Sequence, residues 1–282
     1  MGELATTGQQ VIIEIGGMAV EVRSESPEFL EMLERRYSGF LSPEALPGFE
    51  LDVELVAPGR ITREEDLSVR FEAGRWLIER GDLRAEWEPA SRRGRIVQSP
   101  NPYSIDAVLR IVHSLILAQE GGLLVHAASA VRNGKAFLFA GVSGAGKTTI
   151  SRLAPPDATL LTDEISYLRV DRGLVGSGLD VGRNGHGYVA YGTPFAGELA
   201  KVGENAQAPL AALYLLQKGS ENTIEPVKAS DAARMLLENV LFFANDSELV
   251  SLVFESACEV VRNVPVYRLT FVPDERVWEL IG

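Results

Sequence analysis

The stretch LFAGVSGAGKTTIS, from Leu138 to Ser151, sets the tightest limit on how this chain can fold. Three glycines and an alanine fall within residues 141–146, directly after an apolar run and directly before a lysine and two threonines. Glycine costs backbone entropy and buries no side chain, so a run of this kind needs a reason. The reason is a backbone that turns its own N–H groups inward around an anion. Gly141, Val142, Ser143, Gly144, Ala145, Gly146, Lys147 and Thr148 satisfy G-x-x-x-x-G-K-[ST] at every fixed position. A strand predicted over Ala136–Ala140 leads in, and the helix leading out adds its positive end to the anion site. In this pattern Lys147 reaches the terminal phosphates of a nucleoside triphosphate, and the Thr148 hydroxyl ligates magnesium. Thr149 completes the nucleotide-binding set. ATP and Mg²⁺ are the cofactors implied.

A second stretch, ATLLTDEISYL, is an apolar strand ending in Asp163-Glu164, sixteen residues after Lys147. A hard cation takes oxygen ligands, so a carboxylate at the end of a neighbouring strand suits a magnesium–nucleotide site. Downstream, DVGRNGHGYVAYGTPF spans Asp180 to Phe195 and reads as a loop on the acceptor side. There Arg183 can neutralise transferring charge and His186 can meet substrate.

Around these motifs the chain divides near Ser99-Pro100. Residues 1–100 alternate as strands should, with Phe49–Leu55 and Leu83–Trp87 the clearest cases. Gly16-Gly17 predicts a hairpin and one helix is expected over about Pro27–Tyr37. The expectation is an N-terminal, mostly antiparallel β domain of unassigned role. Residues 101–282 begin with a helix capped by Asn101 with Pro102 at its first position. His113 on that helix has no ligand-spaced partner and reads as a packing or surface residue. A hairpin follows around Asn133-Gly134, then a strand near Leu210–Leu216, helices near Asp231–Phe242 and Glu248–Val261, and strands near Val266–Phe271 and Val277–Ile281. Pro155-Pro156 ends the helix after the glycine loop at about two turns.

Charge narrows the partners. With 39 acidic against 27 basic residues the net charge is −12, and no Lys/Arg run exceeds two residues. Nucleic-acid binders carry a basic face, so neither nucleic acid nor an anionic membrane is an expected partner. No apolar stretch reaches the roughly 20 residues of a membrane span, and the start lacks the layout of a signal peptide. The single cysteine, Cys258, fits a reducing compartment. A cytoplasmic location is expected.

The loop GVSGAGKTTIS, the strand end LLTDE and the strand LLVHAASAV, with His126 fifteen residues before Gly141, together resemble the core shared by HPr kinase/phosphorylase and phosphoenolpyruvate carboxykinase. The likeness covers roughly residues 101–282 and is strongest over 122–170. It implies an α/β (α+β) fold with a P-loop kinase core of that type, and a functional histidine at His126. It also implies a serine or related hydroxyl of a peptide or small protein as acceptor, with a small-molecule hydroxyl open, and a possible homo-oligomer. The chain departs from the family pattern at Glu164, where the acidic pair has aspartate. It also lacks, near VVRNVPVYRL, the signature with which true HPr kinases engage their protein substrate.

The expected chemistry is Mg²⁺- and ATP-dependent transfer of the γ-phosphoryl group to a hydroxyl, which asks mainly for positioning and charge neutralisation. Lys147 and the loop hold phosphates; Thr148 and one of Asp163 and Glu164 hold the metal. The other carboxylate accepts the acceptor's proton, with His126 accepting a proton or orienting the acids. The alternatives are a nucleotide-responsive binding module without transfer and, less well matched, a carboxykinase-like enzyme. Lys147→Ala or Asp163→Ala is expected to abolish transfer of labelled γ-phosphate while leaving the fold intact; undiminished transfer in either variant overturns these assignments.

Overall fold

The computed structural model describes residues 10–58, 67–171, 187–199 and 202–282. Chain contacts divide it into two units, one running to Val112 with Phe243–Asn245, the other comprising His113–Phe242 and Asp246–Gly282.

In the first unit β1 (Gln10–Ile15) and β2 (Met18–Ser24) form the antiparallel hairpin that Gly16-Gly17 requires. Ser26 then caps α1 (Pro27–Arg36), its Oγ accepting from Phe29 N at 3.2 Å. A helix is a long enough link to bring the chain back in the same direction, so β3 (Phe49–Leu55) lies parallel to β2. A meander follows: β4 (Ser68–Glu72), β5 (Arg75–Arg80), β6 (Leu83–Glu88) and β7 (Arg93–Gln98). It returns β7 to the free side of β3, giving the order β1-β2-β3-β7-β6-β5-β4 with β3 and β7 also parallel. Strand β6 alternates buried and exposed residues throughout, so Leu83, Ala85 and Trp87 face the core.

Helix α2 (Pro102–Glu120) is capped by Asn101, whose Oδ1 accepts from the backbone N of Tyr103 and Ser104 at 2.9 and 3.0 Å. Among the described residues no helix, α2 included, is long and apolar enough to cross a membrane.

The second unit is a nine-stranded sheet. Its strands are β8 (Leu123–Val125), β9 (Ala127–Arg132), β10 (Lys135–Ala140), β11 (Thr159–Thr162) and β12 (Ser166–Asp171). They are joined by β13 (Gly187–Tyr191), β14 (Gln207–Lys218), β15 (Thr223–Pro226) and β16 (Val266–Phe271). Its helices are α3 (Lys147–Arg152), α4 (Ala229–Leu237) and α5 (Ser247–Asn263). The main path runs β11-β9-β10-β14-β13-β12-β8, with β16 on β14 and β15 on β16. Strand β14 is the hub, parallel to β10 and β16 and antiparallel to β13.

These findings correct the expected fold. The described residues do not show an α/β P-loop kinase core of the HPr kinase/phosphoenolpyruvate carboxykinase type; they form a mostly β molecule, sixteen strands in two sheets with five α-helices. The physical reason is connectivity. Within the second sheet only β10–β14 and β14–β16 are parallel. The other pairs are antiparallel, need no helical crossover, and leave few helices to make. The helix after the glycine loop has just six residues.

Local expectations also shift. The predicted continuous strand Leu123–Val131 breaks at His126 into β8 and β9, which pair with different partners. Predicted strand Val277–Ile281 lies in a 3₁₀ turn, Glu275–Leu280. There Trp278, 2% exposed, donates from Nε1 to Ile150 O at 3.1 Å. The tryptophan gains more by burying its ring against the sheet and satisfying its N–H than by extending a strand.

His113 is fully buried, its Nδ1 sharing a 2.8 Å hydrogen bond with the Tyr167 hydroxyl. Burial, aided by the Arg169 charge, lowers its pKa from 6.5 to about 3. Between these values the unfolded chain binds more protons, so stability falls as pH drops, by up to about 1.4 kcal/mol per pH unit. Denaturant midpoints measured from pH 7 to pH 4 should show this slope, and His113→Gln should flatten it.

Candidate active site

Strand β10 ends at Ala140, in the interior of the sheet, and delivers the chain into the loop 141–146. Gly144 and Gly146 hold φ of +78° and +114°, angles that residues with a side chain rarely adopt. Gly146 has a second constraint: a Cβ there would lie 2.7 Å from Phe271 Cζ. The loop therefore rests directly on the ring of β16. Lys147, first in α3 and 8% exposed, donates from Nζ to Gly141 O at 2.7 Å, so its side chain folds back along the loop.

Three further segments converge on this loop. The break between β8 and β9 carries His126, held through its backbone N–H to Asn239 O at 2.7 Å. The turn after β11 carries Asp163 and Glu164. Thr162 shapes that turn, its Oγ1 accepting from the backbone N of Glu164 at 3.1 Å and of Ile165 at 3.2 Å. Third, segment 192–199 crosses the end of β11. The chain at Gly203 also lies on β11, a Cβ there falling 1.7 Å from Leu161 O, and Gly192 packs on that chain in turn, where a Cβ would lie 1.8 Å from Glu204 O. Thr193 N donates to Leu161 O at 3.1 Å and Glu204 N to Leu160 O at 2.9 Å.

Of the residues predicted from sequence, the fold brings together His126, Lys147, Thr148 and Glu164. His126 Nδ1 lies 3.6 Å from Glu164 Oε1, both side chains about a third exposed. Burial and then the Lys147 charge hold the His126 pKa below 6.5, with Glu164 opposing. Burial likewise lowers the Lys147 ammonium, with Glu164 and Glu198 opposing. Asp163 is nearby but turned elsewhere. It is 2% exposed, and its two oxygens accept from Gly197 N and Leu199 N, each at 2.8 Å. Arg183 and His186 lie outside the described residues.

Sequence reasoning missed Glu198, whose Oε2 lies 3.4 Å from Thr148 Oγ1. The readable signal was close by: the acceptor-side stretch ends at Phe195, and the Pro194…Gly197 turn residues continue directly into the glutamate.

Among the described residues no group of three or more His, Cys, Asp or Glu side chains has metal-binding geometry. Mg²⁺ bound with a nucleotide takes most ligands from phosphate and water and needs only one or two protein oxygens. Thr148 and Glu198 offer such a hard-oxygen pair, so these residues fit the ion.

The site is thus a glycine-rich loop at the end of an interior strand of a mixed, mostly antiparallel sheet, with a histidine–carboxylate pair beside it. A family model described as SynChlorMet cassette protein ScmC matches residues 101–282, well over half of the chain, and the chain belongs to that family. No curated protein matches it significantly. The resemblance to HPr kinase/phosphorylase is corrected accordingly. It rested on three short segments that any phosphate-binding turn flanked by carboxylates would share, and local site chemistry recurs across unrelated families.

Gly146→Ala should lose about 1–3 kcal/mol of stability in chemical denaturation, since it adds a clash with Phe271 to backbone strain. Gly144→Ala, which meets nothing within 4 Å, should lose less; equal losses would remove Phe271 as the constraint.

Proposed function

We propose that this chain is a Mg²⁺- and ATP-dependent phosphotransferase that moves the γ-phosphoryl group to a hydroxyl. The observation that carries the reading is the convergence of the glycine loop and Lys147 with the His126–Glu164 pair, itself at 3.6 Å, beside the end of β10. Backbone N–H groups of residues 142–148 and the Lys147 ammonium bind the phosphates and neutralise charge that shifts toward the leaving oxygen. The bound Mg²⁺ supplies further charge neutralisation, held by Thr148 and a carboxylate.

His126 stays neutral at physiological pH because burial and Lys147 disfavour its cation. It can therefore accept the hydroxyl proton, and Glu164 stabilises the imidazolium so formed. The acceptor oxygen forms the new P–O bond, the bond from the γ-phosphorus to the β–γ bridging oxygen breaks, and ADP leaves. The acceptor is a hydroxyl of a peptide, a small protein or a small molecule, and the reaction is assigned to the cytoplasm.

A second reading is a nucleotide-responsive binding module. The engagement of Asp163 by two backbone N–H groups favours it, because this leaves one carboxylate fewer for chemistry. Incubation with γ-labelled ATP, Mg²⁺ and hydroxyl acceptors separates the two. A discrete labelled product supports the phosphotransferase, tight ATP binding without transfer supports the module, and no ATP binding overturns both. With transfer in hand, His126→Gln should slow it by about 10²-fold or more. The rate should fall as pH drops, with its midpoint below 6.5 because the His126 pKa is lowered; a midpoint above 6.5 would remove His126 as the proton acceptor.

A further inference from the structure

Sequence reasoning gives Asp163 and Glu164 the two carboxylate roles. The geometry divides the work differently. Asp163 is 2% exposed and each of its oxygens accepts a backbone N–H of the crossing segment at 2.8 Å. A carboxylate has further lone pairs, but a side chain this enclosed presents no face to a hydrated cation. The two amides it holds belong to Gly197 and Leu199, the residues on either side of Glu198. The clasp thus fixes the backbone from both sides of one glutamate, and that glutamate is the one at Thr148 Oγ1, 3.4 Å away, and within electrostatic reach of Lys147. The packing agrees: a Cβ on Gly197 would lie 2.5 Å from Glu164 Oε2 and 3.1 Å from Asp163 Oδ2, so the segment passes against both acids.

We propose that Asp163 is a positioning residue that clasps residues 197 and 199, and that Glu198 is the carboxylate which, with Thr148, holds the cation accompanying the nucleotide phosphates. The proposal rests on the nucleotide-binding reading above. It makes segment 192–199 part of the nucleotide site, and it leaves Glu164 to His126. Because the clasped amides flank Glu198 and are not its own, the two roles separate by mutation: Glu198→Gln removes the charge and keeps the clasp, whereas Asp163→Asn places an N–H₂ donor against a backbone donor and opens it.

The test measures binding of a non-hydrolysable ATP analogue with and without Mg²⁺, together with hydrogen exchange at Gly197 and Leu199. In the unaltered chain Mg²⁺ tightens analogue binding. Glu198→Gln is expected to cut that tightening about tenfold or more, on the scale of ligand-shell losses, with both amides as protected as before. Asp163→Asn is expected to lose the tightening and also to expose both amides, because an opened clasp exchanges locally. Full Mg²⁺ tightening in Glu198→Gln overturns the proposal while leaving nucleotide binding standing. So does an Asp163→Asn chain that loses the tightening with its amides still protected, since that marks Asp163 as a direct ligand. An unaltered chain that binds no analogue overturns the functional reading and this one together. Should Asp163→Asn fail to fold, the Glu198→Gln result alone decides.

Discussion

Phe271 occupies the space that a side chain at position 146 would fill, and much of the second unit is organised around that contact. The ring sits at the end of β16, two strands across from β10, so the loop leaving one strand is seated on the core of another. Beneath it Phe139 stacks on Tyr214 at 5.6 Å and meets Trp278 edge-on at 5.5 Å. Trp278 reaches Ile150 O through its indole N–H, and Arg132 holds Trp278 O and Ile281 O at 2.8 and 3.1 Å. The short helix α3, too brief to be stable alone, is thereby gripped from below. This packing fixes where the loop leaves β10 and where α3 begins.

Charge is arranged around the loop with the same economy. Lys147 is buried and answers to two glutamates from different segments, Glu164 after β11 and Glu198 on the crossing segment. His126 sits where β8 gives way to β9, a break that frees its side chain from the sheet while Asn239 O secures its backbone. Burial beside a lysine keeps the imidazole neutral, and the glutamate 3.6 Å away limits that effect. The arrangement suits a group that must gain a proton and lose it again.

Much of this was legible residue by residue. The glycine turn could be read because positive φ is a local demand that glycine meets at least cost, as Gly144 and Gly146 do. The Asn101 cap, the Gly16-Gly17 hairpin and the alternation of β6 were equally local. The strand break at His126 was not, because both sides of the break are apolar and buried, on different pairings. Val277–Ile281 looked like a strand because Val277, Trp278 and Ile281 are buried, but a 3₁₀ turn places them around one tryptophan. The kinase-like α/β fold was inferred from a motif that specifies a strand, a turn and a helix start, and a motif of that size says nothing of what the other strands do.

Features confined to neighbours in the chain were settled by sequence alone: a glycine-rich turn at 141–146, acids at 163 and 164, a histidine upstream. Which acid faces the loop was a tertiary matter. Asp163 and Glu164 are adjacent in a turn, where the direction of each side chain is set by the segments packed on it, so composition could not choose between them. Glu198 entered the site only because segment 192–199 crosses β11 and is tied there by the Thr193 N–H on Leu161 O and by the Gly197 and Leu199 N–H groups on the Asp163 carboxylate. The donors are main-chain groups, the same in every residue, so no pattern of side chains announces which of them a distant acceptor will hold.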